Sequence, residues 1–247
     1  ENTGFSKCHI SFAPDDSGNS IGAALEASIG IGQKANAENL NSTIGQEFEN
    51  DYIGKILETY KLRHRKVKDI TVEVADMLSK NRVIGWVQGK SEFGQRSLGH
   101  RSILASPVDK NMKGRLNKAV KFRESYRPFA PMISCANVLS YFDTNTEQLP
   151  VRYMEKALQF RKEVIDGVPA VVHNDGTGRL QTVIPEKEPL LHDLLQRFHK
   201  ITNCPVLLNT SFNLNGEPIV NSPEDAIKTY FTSGIDSLIL GDFIIDK

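Results

Sequence analysis

The sequence predicts a mixed α/β fold on three observations. Helical-period and strand-like segments alternate from Asp51 onward, the strand-like apolar runs are short, and a segment with complete helix-start signals precedes the last of them. The composition agrees with a folded chain: 247 residues, 30 Lys+Arg against 30 Asp+Glu and 39% hydrophobic residues suffice for a proper core, as one domain of about 200 residues with an appendage or as two domains. Zero net charge excludes a protein held to nucleic acid by its overall charge. The longest apolar stretches, such as Val83 to Val87 and Pro205 to Leu208, fall far short of the roughly 18 residues a membrane span needs. Cys8, Cys135 and Cys204 are far apart, suggesting neither a zinc knuckle nor a disulfide scaffold, so the expected location is the cytoplasm.

The chain begins at Glu1, shows no signal peptide and soon enters a strand-like run, Cys8 to Phe12, which leads us to expect a truncated chain with part of its chemistry upstream. Pro14 to Ser20 reads as an acidic, Gly-containing turn, and Ile21 to Ile29 as a helix. Residues 30–50 are polar, Gly- and Asn-rich and without period, so a boundary is placed there and a second domain starts near Asp51. Helices then run through Ile53, Ile56, Leu57 and Tyr60 and through Val72, Ala75, Met77 and Leu78, followed by a strand at Val83 to Val87. After a long polar loop, a helix sets Met112, Leu116, Ala119 and Val120 on one side, and strand Phe129 to Ile133 leads into a short helix capped by Ser134. Strands are expected at Tyr153 to Phe160, Val168 to Val172 and Leu180 to Ile184. Helix Leu190 to Ile201 feeds strand Pro205 to Leu208. Ser222-Pro223-Glu224-Asp225 starts a helix, with Ser at the N-cap, Pro at the first position and acids against the dipole. Strand Ser237 to Leu240 closes the fold, and no internal repeat is visible.

The charge is unevenly spread. Between Lys90 and Arg127 ten Lys or Arg face only Glu92, Asp109 and Glu124, so this segment calls for an anion. Lys110, Lys113 and Lys118 lie opposite their helix's apolar stripe and read as a solvated face. Arg96, Arg101, Lys121, Arg123 and Arg127 instead sit in Gly- and aromatic-containing loops or at a helix end, where guanidiniums suit bidentate phosphate recognition. Structural ion pairs to Glu92 and Glu124 are the alternative.

A second cluster, His173-Asn174-Asp175-Gly176-Thr177-Gly178-Arg179, follows an apolar run. If a strand continues through Asp175, that carboxylate shares a face with His173 and can orient its imidazole; otherwise the segment is a hairpin turn. The third cluster, Asn209-Thr210-Ser211-Phe212-Asn213, puts small polar side chains at a strand end, able to meet phosphate or ribose, or to make a turn.

Together the clusters resemble the C-terminal half of O-carbamoyltransferases of the nodulation-factor and cephamycin/tobramycin type. The family pattern E-F-G-P-R-A-L-G-N-R-S-I-L is similar to Glu92 to Leu104, R-E-x-F-R-P-F-A-P to Arg123 to Pro131, H-x-D-G-T-x-R to His173 to Arg179, and N-T-S-F-N to Asn209 to Asn213. Gln95, Ser97 and His100 depart from the first pattern. The resemblance implies a YrdC-like open twisted mixed sheet with flanking helices over 51–247, whose nucleotide signature is matched by Lys121/Arg123 and Ser211/Asn213. It also implies that residues 1–50 are the strand-loop-helix end of an N-terminal actin-like ATPase-fold domain plus linker, with Asp16 as the acid matching a metal- and substrate-holding D-x-G loop.

The function this implies is formation of carbamoyl-adenylate from ATP and carbamoyl phosphate, then transfer to a hydroxyl of a small-molecule acceptor in the N-terminal domain. Lys121, Arg123, Arg96 and Arg101 would offset the charge gathering on phosphoryl oxygens, with His173 and Arg179 on carbamoyl phosphate or the nascent carbamate. Arg127, Asp175, Thr177, Asn209, Ser211 and Asn213 complete the binding set. Mg2+ is expected with ATP, and a further metal, iron among the candidates, upstream. The expected partners are small molecules and a second copy of the chain, without membrane or nucleic acid. Two other readings stand beside this one: an RNA-binding or tRNA-modification module, because Phe93, Phe122, Tyr126 and Phe129 interleave the basic stretch, and a non-catalytic lid.

Overall fold

The computed structural model describes residues 10–33, 41–146 and 149–247. Its strands are β1 (Arg65–Lys66), β2 (Ile84–Val87), β3 (Arg101–Ala105), β4 (Ala130–Ser134), β5 (Ala157–Gln159), β6 (Thr177–Arg179), β7 (Gln181–Val183), β8 (Val206–Ser211), β9 (Ser237–Leu240) and β10 (Phe243–Asp246). Eight of them form one mixed sheet in the order β1-β10-β9-β2-β3-β8-β4-β7, and β5 and β6 pair separately. The pairs β2/β9 and β4/β7 are parallel and the remaining neighbours antiparallel. The expected mixed sheet with flanking helices is therefore what forms.

The helices are α1 (Gly18–Gly30), α2 (Asn50–Thr59), α3 (Ile70–Ser79), α4 (Met112–Ala119), α5 (Val138–Tyr141), α6 (Pro189–Thr202) and α7 (Pro223–Phe231). In α6, Leu191, Leu194, Leu195 and Phe198 fall at i, i+3, i+4 and i+7 and are all buried, each contributing roughly 1.5–3 kcal/mol of burial. Pro189 opens the helix, and Asn203 stops it in the left-handed region at φ 56°. This helix packs along α3, which Asp69 caps by accepting from the Val72 N–H. α7 packs on β9 and β2, and α2 on α7, with Ile53 and Leu57 buried in the common core. α1 buries no residue.

Pairing decides where the loops meet. Ser211 at the C-terminal end of β8 lies opposite Ser102 at the start of β3, and Asn209 lies opposite Ala130 at the start of β4. Gln181, the first residue of β7, lies beside Met132 of β4. The segments that enter β3, β4 and β7 and the end of β8 thus converge at one end of the sheet, and these are the four stretches that carry the sequence clusters.

Several elements differ from expectation. Val168 to Val172 makes no strand but two 3-10 turns over 162–167 and 169–171. Pro169 cannot donate to a ladder, and the apolar side chains are buried without one. Tyr153 to Phe160 shortens to β5 and Leu180 to Ile184 to β7, while β6, just before β7, pairs with β5 in the separate sheet. β8 runs on through Ser211, so Asn209, Thr210 and Ser211 lie in the strand instead of after it. β3 and β10 were not expected: β3 opens on two polar residues, Arg101 and Ser102, yet is buried throughout, and β10 follows the supposed last strand. Ser134 makes no side-chain cap. Of the expected strand Cys8 to Phe12, Cys8 lies outside the described residues, and residues 10–12 are not strand. Within the stretch read as a boundary, residues 42–46 exchange backbone hydrogen bonds with residues 91–93.

Candidate active site

Three arginines from three different loops line one cavity of about 90 Å³: Arg96 from the segment before β3, Arg123 from that before β4, and Arg179 at the end of β6. Ser97, Asn209 and Ser211 share its wall. No carboxylate lies within ion-pair distance of the three arginines among the described residues. Burial first, then the charges of Arg96 and Arg123, pull the Arg179 guanidinium down to about 10. Arg123 is likewise lowered by burial and then by Arg127, with Glu124 opposing. Like charges gathered in a half-buried hollow, with Asp15 and Glu124 acting on them only beyond ion-pair distance, favour an anion there.

The chain reaches this arrangement through specific local structure. After α4, Phe122 adopts φ 46°, a left-handed conformation that turns Lys121 inward, where it is 3% exposed, and leaves the Phe122 ring outside. The Lys121 ammonium faces the Ser211 carbonyl, the Ser211 hydroxyl at 3.2 Å, the Asn213 carbonyl at 3.0 Å and Asn213 Oδ1 at 2.7 Å. Burial, then Arg123 and Arg127, hold its pKa down to about 7. Arg123 donates from Nε to Asn117 Oδ1 at 2.7 Å and lies over the Phe129 ring with its Cζ 4.9 Å from the centroid. Asn117, fully buried on α4, donates in turn to the carbonyls of Ser125 and Arg127, so one amide shapes the whole 121–128 loop.

The loop before β3 is held by Glu92. Its carboxylate accepts from the backbone N–H groups of Leu98 at 2.6 Å, His100 at 2.8 Å and Arg101 at 3.1 Å, and makes no ion pair with an arginine. Gly99 stands at φ 105°, and a Cβ there would lie 2.3 Å from the Leu191 side chain. His100 sets Nδ1 against the Gln88 carbonyl and Nε2 against Glu188 at 2.8 Å; both are acceptors, so the imidazolium fits best. Burial lowers its pKa, but the Glu188 hydrogen bond and the charges of Glu92 and Glu188 outweigh this, and the net shift is upward.

Arg101, expected as a catalytic cation, lies outside the arginine cavity and lines a larger cavity beyond Asn213. The residue is 1% exposed, and its guanidinium donates to the carbonyls of Asn221, Gln88, Gly89, His100 and Gln46. With its donors committed to backbone, it braces the site. Arg127 is exposed and approaches Glu124 at 4.0 Å, outside the cavity wall.

The His173 cluster forms the hairpin turn. The His173 and Thr177 backbones pair, and Asp175 accepts from the Thr177 N–H and hydroxyl, not from His173 as a shared strand face would require. Because the Thr177 hydroxyl spends its proton on Asp175, it accepts from His173 Nδ1 at 3.0 Å, leaving Nε2 of the neutral ring free to take a proton. Burial lowers the His173 pKa; Asp175 opposes this, and Arg179 and Lys113 add to it. His173 is thus within electrostatic reach of Arg179, although it does not line the cavity.

Asp16 is exposed, and among the described residues no group of three or more His, Cys, Asp or Glu is placed to hold a metal ion. Burial raises the pKa of Cys204 to about 11 and also raises that of Cys135, which agrees with inert thiols, and Trp86 is core, donating to the Gly99 carbonyl.

Sequence reasoning missed Asn117, Gln181 and Ser97. Asn117 borders the apolar stripe of α4 one position past Leu116, which is a usable signal; Gln181 carries none. Beyond Asn213 lies a larger cavity of about 460 Å³, lined among others by Ser91, Glu92, Glu217 and Asn221.

The family described as carbamoyltransferase C-terminus matches residues 75–247. The chain is 40% identical to nodulation protein NolO of Bradyrhizobium diazoefficiens, over 98% of this chain and 45% of that protein. It is 33% identical to the 3'-hydroxymethylcephem-O-carbamoyltransferase of Streptomyces clavuligerus, over 96% of this chain and 43% of that protein. It thus spans less than half the length of these curated relatives. Among solved structures, full-length HypF in its phosphate- and nucleotide-bound form aligns with a TM-score of 0.49 at 17% identity, over 75% of this chain and 22% of that one.

Proposed function

The chain belongs to the carbamoyltransferase C-terminus family, and from that premise we propose that its basic cavity activates a carbamoyl group for transfer to a hydroxyl of a small-molecule acceptor. Carbamoyl phosphate loses its phosphoryl group to water, giving carbamate and inorganic phosphate. A carbamate oxygen then bonds to the α-phosphorus of ATP while the bond to pyrophosphate breaks, which leaves carbamoyl-adenylate. Transfer itself belongs to residues upstream of the activating unit at 51–247, and residues 1–50 are read as the end of that upstream domain.

The observation that carries this reading is the set of three guanidiniums around one hollow, with no carboxylate of the described residues within ion-pair distance. In both steps negative charge shifts among phosphoryl oxygens, and fixed cations in a partly dry site stabilise it most. Arg96, Arg123 and Arg179 take the phosphoryl oxygens, and Lys121 holds the Ser211–Asn213 strand end beneath them. His173 Nε2, outside the cavity wall but within electrostatic reach of Arg179, takes the proton of the attacking water through an intervening water. The larger cavity past Asn213 has the volume for a nucleoside, and Ser91, Glu217 and Asn221 on its wall suit hydroxyl and amino groups.

Carbamoyl-phosphate-dependent exchange of pyrophosphate into ATP, run on the full-length protein and on this chain, tests the proposal. Arg123→Ala in the full-length protein should cost on the order of 10²- to 10³-fold in exchange rate, by analogy with loss of one oxyanion donor. Exchange that is absent from the wild type, or indifferent to Arg123→Ala, refutes it.

A further inference from the structure

Among the polar atoms that are buried without a hydrogen-bond partner, two belong to the wall of the arginine cavity: Ser97 Oγ and Asn209 Oδ1. Asn209 is 1% exposed, and a buried acceptor left empty costs stability unless a ligand fills it. The orientation of its amide follows from a chain of donors and acceptors. The Leu98 carbonyl can only accept, so the Gln181 Nε2 group donates to it at 2.7 Å. Gln181 Oε1 therefore faces Asn209 and receives its Nδ2 at 2.6 Å, while the Ser97 carbonyl takes the same amide nitrogen at 3.2 Å. Both neighbours are acceptors, which leaves Oδ1 no choice but to be the unfilled atom.

We infer that Asn209 Oδ1 is a specificity-determining acceptor that reads an N–H group carried by the phosphate-bearing substrate. The inference rests on the cavity's being the carbamoyl phosphate site. The donor must lie close to the phosphate, because the hollow of about 90 Å³ that holds the three guanidiniums also includes Asn209. The NH2 of a carbamoyl group meets that condition, whereas the amino group of adenine is too far from any phosphate of the same nucleotide. An acyl phosphate with methyl in place of NH2 would fit the volume but leave the acceptor empty, and would be rejected for that reason. Ser97 Oγ, free to rotate, supplies a further donor to the phosphate. Oδ1 is shielded from bulk solvent, and a neighbouring side chain turns aside as the ligand enters. Gln181, which touches no ligand in this scheme, is a positioning residue.

The test is calorimetric titration of the full-length protein and of this chain with three stable probes: phosphonoacetamide, (2-oxopropyl)phosphonate, which replaces its NH2 by methyl, and inorganic phosphate. The wild type should prefer the amide by on the order of 10- to 100-fold, the penalty of one buried unsatisfied acceptor. Asn209→Leu, nearly the same shape, should abolish the preference of amide over ketone. Gln181→Leu should reduce the preference in the same way, which covers the case of Asn209→Leu failing to fold. Equal affinity of the wild type for amide and ketone overturns the inference, as does a preference that survives both substitutions. In either case the reading of the cavity stands if Arg123→Ala still abolishes phosphate binding. Phosphate binding that ignores Arg123→Ala overturns both.

Discussion

Lys121 carries its charge against its surroundings. Burial and the charges of Arg123 and Arg127 bring its pKa from 10.5 to about 7, although four oxygen atoms accept from its ammonium. The sign of the consequence follows from linkage. Between about 7 and 10.5 the unfolded chain binds more protons than the folded one, so this group makes stability rise with pH across that window and leaves it flat below. An anion in the cavity reverses the preference and draws a proton onto Lys121. Sulfate, which does not titrate near neutrality, should therefore bind with proton uptake at about pH 8 and more weakly as pH rises further. Calorimetry in buffers of unequal ionisation enthalpy measures this directly. Uptake that persists in Lys121→Met would assign the proton to another group. The residues carrying this chemistry were visible in the sequence because Lys, Arg, Ser and Asn at loop ends are costly unless used. The different fates of Arg96 and Arg101 were not visible, since both lie in one short sequence motif and only the carbonyls around Arg101 distinguish them.

At the scale of elements, α7 was legible down to its first residue. Ser222 accepts from the Asp225 N–H, and Asp225 returns the bond to the Ser222 backbone, the reciprocal box that Ser-Pro-Glu-Asp predicts. Ser222→Ala should lower stability by about 1 kcal/mol, read from the midpoint of urea unfolding with an unchanged slope. A midpoint equal to wild type would show that packing of Ile227 and Tyr230 alone holds this helix. Helices were read well because their period is local. The strands were read less well because their evidence lies on other strands. Arg101 and Ser102 look like loop until β2 and β8 bury them on either side, and Val168 to Val172 looks like strand until Pro169 denies it a ladder.

The whole molecule is braced where the site is built. Arg101 joins the 42–46 segment, the 88–100 loop and the approach to α7 through backbone carbonyls, so its loss strands several buried acceptors at once. Arg101→Ala should cost more than about 3 kcal/mol in chemical unfolding, and exchange activity should fall because the fold loosens. Unchanged stability with lost activity would return Arg101 to the catalytic set. Among the described residues no helix is long and apolar enough to cross a membrane.

The sequence by itself determined the mixed α/β class, most helices and the inventory of cations and small polar groups, because periodicity, end signals and local charge are properties of neighbours along the chain. The tertiary structure decided which of those groups share a cavity. Antiparallel pairing of β3 and β4 with β8 brings residues distant along the chain to one sheet end, and register alone sets that meeting. It also decided which polar atoms are left wanting: Asn209 Oδ1 is unfilled because its amide nitrogen is taken by Gln181 and Ser97, which are far apart along the chain and meet only in space.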